Sequence, residues 1–319
     1  MRFIDAGGAE DLSRVFVLEL ADGCLVECAE SVQPPVPREV KWVLIVSTLR
    51  GCPVNCLMCD AGGDYRGKLS AGEILAQIDF LVRRRFRDGA VPVAKFKVQF
   101  ARMGDPAFND DVLAVLRRLP SLYDAPGLMP CVSTIAPKGR ERFFDELIDV
   151  KNAFYPRGRF QMQFSIHSTC ESARRRLIPA PVWSFREIAA YGERFVAPGD
   201  RKAALNFAPA RGLPLDPERL ADCFSRDHFA VKLTPINPTG AAARAGLDGL
   251  IDPADPFASE EHAERFRAAG FETILSIGET AENAIGSNCG MLVRAFAETG
   301  SRSAYSSAKR RKSPAIKAL

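Results

Sequence analysis

Along most of this chain, short apolar runs alternate with longer stretches in which apolar residues recur every three or four positions. The first pattern suits buried strands, and the second suits helices with one face on a core. Strands are predicted over residues 42–46, 95–100, 129–133, 160–166, 203–207 and 229–233. Between them the spacing predicts helices over 71–85, 110–119, 139–148, 185–195 and 217–224. Ser70 stands where the first of these needs its N-cap. Repeated strand–helix units imply a parallel sheet wrapped by helices. Six of them predict an α/β fold of one kind, a partial, open six-stranded parallel β/α barrel. A further helix over 258–269 and a short strand over 272–276 follow.

The chain ends read differently. Residues 14–28 form two β-rich runs around Ala21-Asp22-Gly23, and Asp-Gly is a strong hairpin signal. Pro34, Pro35 and Pro37 mark a linker. Residues 301–319 are polar and basic. The expected division is an N-terminal β-hairpin extension with linker (1–38), a barrel with a closing segment (39–300) and a basic tail (301–319).

Composition changes this picture little. Hydrophobic residues make up 47% and charged residues 26%, which excludes a disordered or membrane-embedded chain. No apolar run approaches the ~18 residues that span a bilayer, and the N-terminus lacks an apolar stretch of signal-peptide length. The expected location is therefore the cytoplasm, with no membrane partner. Nine cysteines, three of them close together, suit a reducing compartment better than a disulfide framework. A net charge of +4 does not by itself argue for nucleic acid. The clusters Arg83-Arg84-Arg85, Arg174-Arg175-Arg176 and Lys309-Arg310-Arg311-Lys312 read first as solvated faces and a tail, with phosphate contact as the sharper alternative.

The chemistry concentrates in Gly51-Cys52-Pro53-Val54-Asn55-Cys56-Leu57-Met58-Cys59. Three thiolates at this spacing are soft ligands for an iron–sulfur cluster or zinc. A structural zinc site closes with a fourth ligand, and the only three histidines, His167, His228 and His262, are distant in sequence. Three ligands on a four-iron cluster leave one iron open. In a parallel barrel, chemistry also collects where strands end. That rule selects the cysteine loop, Met103-Gly104-Asp105-Pro106, Ser133-Thr134, Ser165-Ile166-His167-Ser168-Thr169-Cys170 and Pro235-Ile236-Asn237-Pro238.

The C-x3-C-x2-C spacing resembles the signature of radical S-adenosylmethionine (SAM) enzymes. Within them the chain resembles the methyltransferases that act on an adenine ring carbon of ribosomal and transfer RNA, and their antibiotic-resistance relatives. The family's Gly-Met-Gly-Glu-Pro motif looks like Arg102-Met103-Gly104-Asp105-Pro106, and its Ser-Thr-Ser-Gly strand end looks like Ser133-Thr134-Ile135. Its Ser-Leu-His-Ala looks like Ser165-Ile166-His167-Ser168, its Pro-x-Asn-Pro like Pro235-Ile236-Asn237-Pro238, and its Ala-Cys-Gly like Asn288-Cys289-Gly290. The resemblance implies that Cys52, Cys56 and Cys59 hold a 4Fe-4S cluster whose open iron binds SAM. Gly104 and Asp105 would approach the SAM amino group, and Ser133, Ser165 and Asn237 its carboxylate or ribose, with His167 lining the pocket. Cys289 would carry a methyl group to an sp2 carbon of the substrate. A reducing partner such as flavodoxin or ferredoxin would supply the electron.

The match departs from the family at several points. Met58 stands where an aromatic residue is usual, and Asp105 where the family has Glu. Ile45 occupies the place of a second cysteine that releases the product, which makes Cys170 the candidate substitute. About 13 residues precede the hairpin, without the family's larger N-terminal RNA-binding domain. The substrate is therefore left open between a small molecule, a peptide and RNA. Two alternatives stand beside the methyltransferase: a radical SAM enzyme without a methyl-cysteine, and a non-enzymatic metal-binding or RNA-associated module.

Overall fold

The computed structural model describes residues 1–277 together with 290, 292–294 and 296. Cys289 and the basic tail over 301–319 lie outside the described residues. The chain begins with an antiparallel meander, β1 (Arg2–Gly8), β2 (Ser13–Glu19) and β3 (Leu25–Ser31). β4 (Lys41–Val46) pairs antiparallel with β3, and a small hairpin follows, β5 (Leu49–Cys52) with β6 (Gly63–Lys68). Then come α1 (Ala71–Arg85), β7 (Lys95–Phe100), a 3-10 turn over Pro106–Phe108, α2 (Asp111–Leu122), β8 (Leu128–Thr134) and α3 (Glu141–Phe154). They are followed by β9 (Gln161–Ser165), α4 (Glu171–Leu177), α5 (Phe185–Phe195), β10 (Ala203–Phe207), α6 (Pro217–Ala221) and β11 (Phe229–Leu233). The last described elements are α7 (Gly240–Arg244), α8 (Pro256–Ala268) and β12 (Thr273–Leu275), with residues 292–294 helical.

Ten strands form one sheet in the order β1-β2-β3-β4-β7-β8-β9-β10-β11-β12. From β4 onward every pairing is parallel. The six predicted barrel strands are all present, and β12 adds a seventh parallel strand beside β11. The N-terminal extension is larger than a hairpin. β1 was not foreseen, because Asp5, Gly7 and Gly8 hide a half-exposed edge strand. The extension continues the barrel sheet through the β3–β4 pairing, so its strands and the barrel's share one sheet.

The helices seal one side. Trp42, Phe96, Val98, Phe164 and Val231 are fully buried in one core cluster with residues of α1, α2, α3 and α5. Alternation then turns Gln99, Ser133, Gln163 and Lys232 toward the barrel interior. α1 and α5 start at the predicted residues because Ser70 and Ser184 each form a capping box with Glu73 and Glu187.

Candidate functional site

The cysteine loop takes its shape from the β5–β6 hairpin. Cys52 closes β5, and residues 53–62 carry Cys56 and Cys59 across to β6. Gly104 has φ +86°, and a Cβ there would sit 2.4 Å from the Leu49 side chain. No L side chain fits that approach. It docks the turn after β7 onto the hairpin: the Thr48 and Leu49 amides donate to the Met103 carbonyl at 2.9 and 3.1 Å. Asn109 Nδ2 donates to the carbonyls of Thr48 and Leu69 at 2.8 and 2.7 Å, closing the same unit.

Cys52, Cys56 and Cys59 are free thiols. Burial, then the neighbouring Cys59 and Cys52, push the Cys56 thiol well above its usual range. Burial also pushes Cys52 up to about 11. Three such thiolates need a positive centre, so the donor set fits a metal cluster. Among the described residues no three His, Cys, Asp or Glu side chains are arranged to hold a single metal ion.

Arg174 supplies a buried cation near Cys56. The sequence reading placed it on a solvated face, and the structure corrects this for Arg174 alone, since Arg175 and Arg176 are exposed. Its guanidinium donates to the carbonyls of Ser165, Trp183 and Ile135 at 3.2, 2.6 and 2.6 Å, tying together segments at the ends of β8 and β9. Burial lowers its pKa to about 10.

Two carboxylates near the loop hold distant parts of the chain. Asp60, directly after Cys59, accepts from the Gly240 and Ala241 amides at 2.8 Å each and pairs with Arg294 at 3.2 Å. Glu27 is fully buried, accepts from the Gly290 and Val293 amides at 2.9 and 2.8 Å, and pairs with Arg102 at 2.8 Å. Gly290 has φ +83°, and a Cβ there would lie 2.4 Å from Ala61 N and 2.5 Å from the Asp60 carbonyl carbon. The residue after Cys289 is thus pressed against the chain that follows Cys59.

The strand ends meet in one cavity of about 330 Å³. Ser133, Ser165, His167 and Asn237 line it together with Met58 and Cys59. Four residues predicted to contact the cofactor and one of the three loop cysteines therefore share one space. His167 sits at φ +62°, and its Nδ1 accepts the Ala208 amide hydrogen at 3.0 Å. Burial, with Arg174 nearby, pushes it down to about 4, so the ring is neutral at pH 7 with its proton on Nε2.

Asp105 is placed otherwise. It stands beside Cys52, and its carboxylate accepts from Thr134 Oγ1, the Ile135 amide and the Ala107 amide at 2.8, 2.6 and 2.9 Å. Burial raises its pKa to about 6. Cys170 opens α4, with its Sγ 3.1 Å from Ser172 Oγ. Cys24 instead lines a second cavity, of about 410 Å³, together with Gly290, Asp60 and Ala61. Ile45 packs in a cluster with Leu292 and Val293.

Glu27, Asp60 and Lys232 were missed in the sequence. The readable signal was strongest for Lys232, a lone cation inside the apolar run Phe229–Leu233.

No family model matches the chain. A probable RNA methyltransferase of Methylibium petroleiphilum is 34% identical over 59% of this chain and 47% of its own length. A probable dual-specificity RNA methyltransferase RlmN of Desulfitobacterium hafniense is 26% identical over 74% of this chain and 66% of its length. A radical SAM methyltransferase from Sphaerobacter thermophilus superposes with a TM-score of 0.70 at 20% identity, covering 91% of this chain and 80% of that one. The chain resembles the radical SAM RNA methyltransferases. It has the radical SAM fold, with the parallel half barrel and N-terminal antiparallel strands described above. It spans about half the length of the first curated relatives it matches. Among the described residues no helix is long and apolar enough to cross a membrane.

Proposed function

We propose that this protein is a radical SAM methyltransferase that carries a methyl group on Cys289 to an sp2 carbon of its substrate. Cys52, Cys56 and Cys59 hold a 4Fe-4S cluster, and the cavity between Cys59 and Asn237 receives SAM. When bound, cluster and SAM supply an electrophilic methyl group and a 5′-deoxyadenosyl radical, with a flavodoxin or ferredoxin as electron source. Ser133, Ser165 and Asn237 bind the polar groups of SAM, and neutral His167 offers an Nε2–H donor. With the Asp105 carboxylate committed to its three donors, the Gly104-Asp105 turn meets the SAM ammonium through its backbone.

The contact that carries the reading is Gly290 against Asp60 and Ala61. It joins the position after Cys289 to the position after Cys59, as methyl transfer between cofactor and cysteine demands. Ile45 lies beside Leu292 and Val293, where a product-releasing thiol would be useful, and cannot act as one. Cys24, which shares a cavity with Gly290, joins Cys170 as the candidate replacement. The test is mass spectrometry of the cluster-loaded protein after incubation with SAM and reductant. A methyl group on Cys289 is expected. Deoxyadenosine formation with Cys289 unmodified would reject the methyl-carrier role. For release, Cys24→Ala and Cys170→Ala are compared once a substrate is in hand, and the variant lacking the true thiol accumulates a covalent adduct.

A further inference from the structure

We infer that the interior of the half barrel contains an anion subsite centred on Lys232, which takes the carboxylate or phosphate group of a small-molecule substrate. The inference deepens the reading of this cavity as the place where SAM and substrate meet, and rests on it. Lys232 lies in the middle of the barrel, paired in register with Asn206 of β10 and Ile274 of β12. It lines the same cavity as Ser165 and Cys59. Among the described residues its ammonium has no hydrogen-bond or salt-bridge partner. Its charged neighbours are cations: Lys97 and Lys41 repel it, and burial together with that repulsion lowers its pKa to about 8. Lys97 is itself buried, 8% exposed, and likewise has no ion pair among the described residues.

Neighbouring ammonium groups without a carboxylate repel each other. An anion bound at Lys232 offsets that repulsion and gains charge-assisted hydrogen bonds. Gln99, Gln163 and Asn206 add amide groups to the lining. Ala204 and Ala230, in the register row below Lys232, keep that level free of bulk.

The position separates this subsite from the cofactor. Lys41 opens β4 and Lys97 is third in β7, so the positive field deepens toward the strand starts. The cysteine loop lies at the opposite end, where SAM's own carboxylate is read to sit. At about 330 Å³, lined among the described residues by short polar side chains beside Lys232, the cavity suits a small acid better than an RNA segment.

The test begins with the full-length protein without added iron or SAM. Inorganic phosphate and acetate are titrated at constant ionic strength, with thermal unfolding as the readout. A saturable rise in Tm is expected for wild type and Lys232→Arg, with apparent affinity at least about tenfold weaker in Lys232→Met. Should Lys232→Met not fold, Lys232→Gln gives the same comparison. No saturable stabilisation of wild type, or equal affinity in the variant (an adventitious ion only), overturns the proposal. In the cluster-loaded protein, SAM affinity is expected to be unchanged by Lys232→Met. A tenfold loss, with phosphate competing against SAM, would give the lysine to the cofactor and overturn the substrate assignment. Binding of an RNA oligonucleotide is also expected to be unchanged, and its loss would overturn the assignment to a small molecule. The phosphate arm needs neither cluster nor SAM, so it stands or falls apart from the radical SAM reading.

Discussion

Phe164 and Ser165 are neighbours on β9, yet they belong to different regions of the molecule. Phe164 is fully buried against the helices, with its ring edge-on to Tyr191 at 6.0 Å. Ser165 faces the cavity shared with Cys59 and His167. A like division runs along β7, β8, β10 and β11: Phe, Val and Leu face the helices, while Gln99, Ser133, Asn206 and Lys232 face inward. The outer face holds the fold together through buried apolar area. The inner face has little such area, and its polar groups are kept for ligands. A half barrel can therefore vary its chemistry with limited loss of stability, because the two tasks fall on alternate residues.

The largest expected effect tests the rim where the two faces end. Cys56→Ser should lower cluster iron and reduce SAM cleavage to background while changing Tm of the unloaded protein by little. Iron and sulfide analysis beside deoxyadenosine assays checks it, and full activity would break the assignment of the loop.

Next come two replacements that set the faces against each other. Phe164→Ala should cost about 3–5 kcal/mol of unfolding free energy. Ser165→Ala should cost under about 1 kcal/mol, yet weaken SAM binding. Urea unfolding and equilibrium binding on both variants decide it. Equal stability losses would erase the distinction between the faces.

Glu27→Gln sharpens the comparison, because Glu27 is a polar residue with a structural task. Removing its charge leaves the buried Arg102 guanidinium without this carboxylate and weakens the hold on Gly290 and Val293. A loss of about 3 kcal/mol is expected, together with slower methylation of Cys289 at a temperature where the variant is folded.

The smallest effect is in pH dependence. Burial, with Arg174 nearby, holds His167 at about 4, below its ordinary ~6.5 when unfolded. A depressed folded pKa gives stability that is complete above ~6.5 and falls as pH drops toward 4, by up to about 1.4 kcal/mol per unit. Asp105, raised to about 6 by burial, works in the opposite direction from about 3.9 to 6 and is common to both proteins. His167→Gln should therefore lose less stability than wild type between pH 6.5 and 4. Parallel stability curves would place a protonated imidazole in the folded state.

Much of this division was readable in the sequence. β10 and β11 came from short apolar runs, and α1 and α5 began where Ser70 and Ser184 cap them. The strand-end rule brought Ser133, Ser165, His167 and Asn237 to one cavity with Cys59. The failures have physical causes. β1 is an edge strand whose glycines break the pattern. Arg174 sits in a run of three arginines, and only the tertiary fold selects which one is buried. Glu27 meets Gly290 across 263 residues, and no local spacing encodes that pair. Cys289 and the roles of individual cofactor contacts rest on the resemblance, and the tail on its basic composition alone.

The most direct test of the account is anaerobic iron and sulfide reconstitution, followed by SAM and a strong reductant. The account requires a brown protein with about four irons per chain, 5′-deoxyadenosine formation, and loss of both in Cys56→Ser. A colourless protein that binds one zinc through these thiols and leaves SAM intact would contradict it.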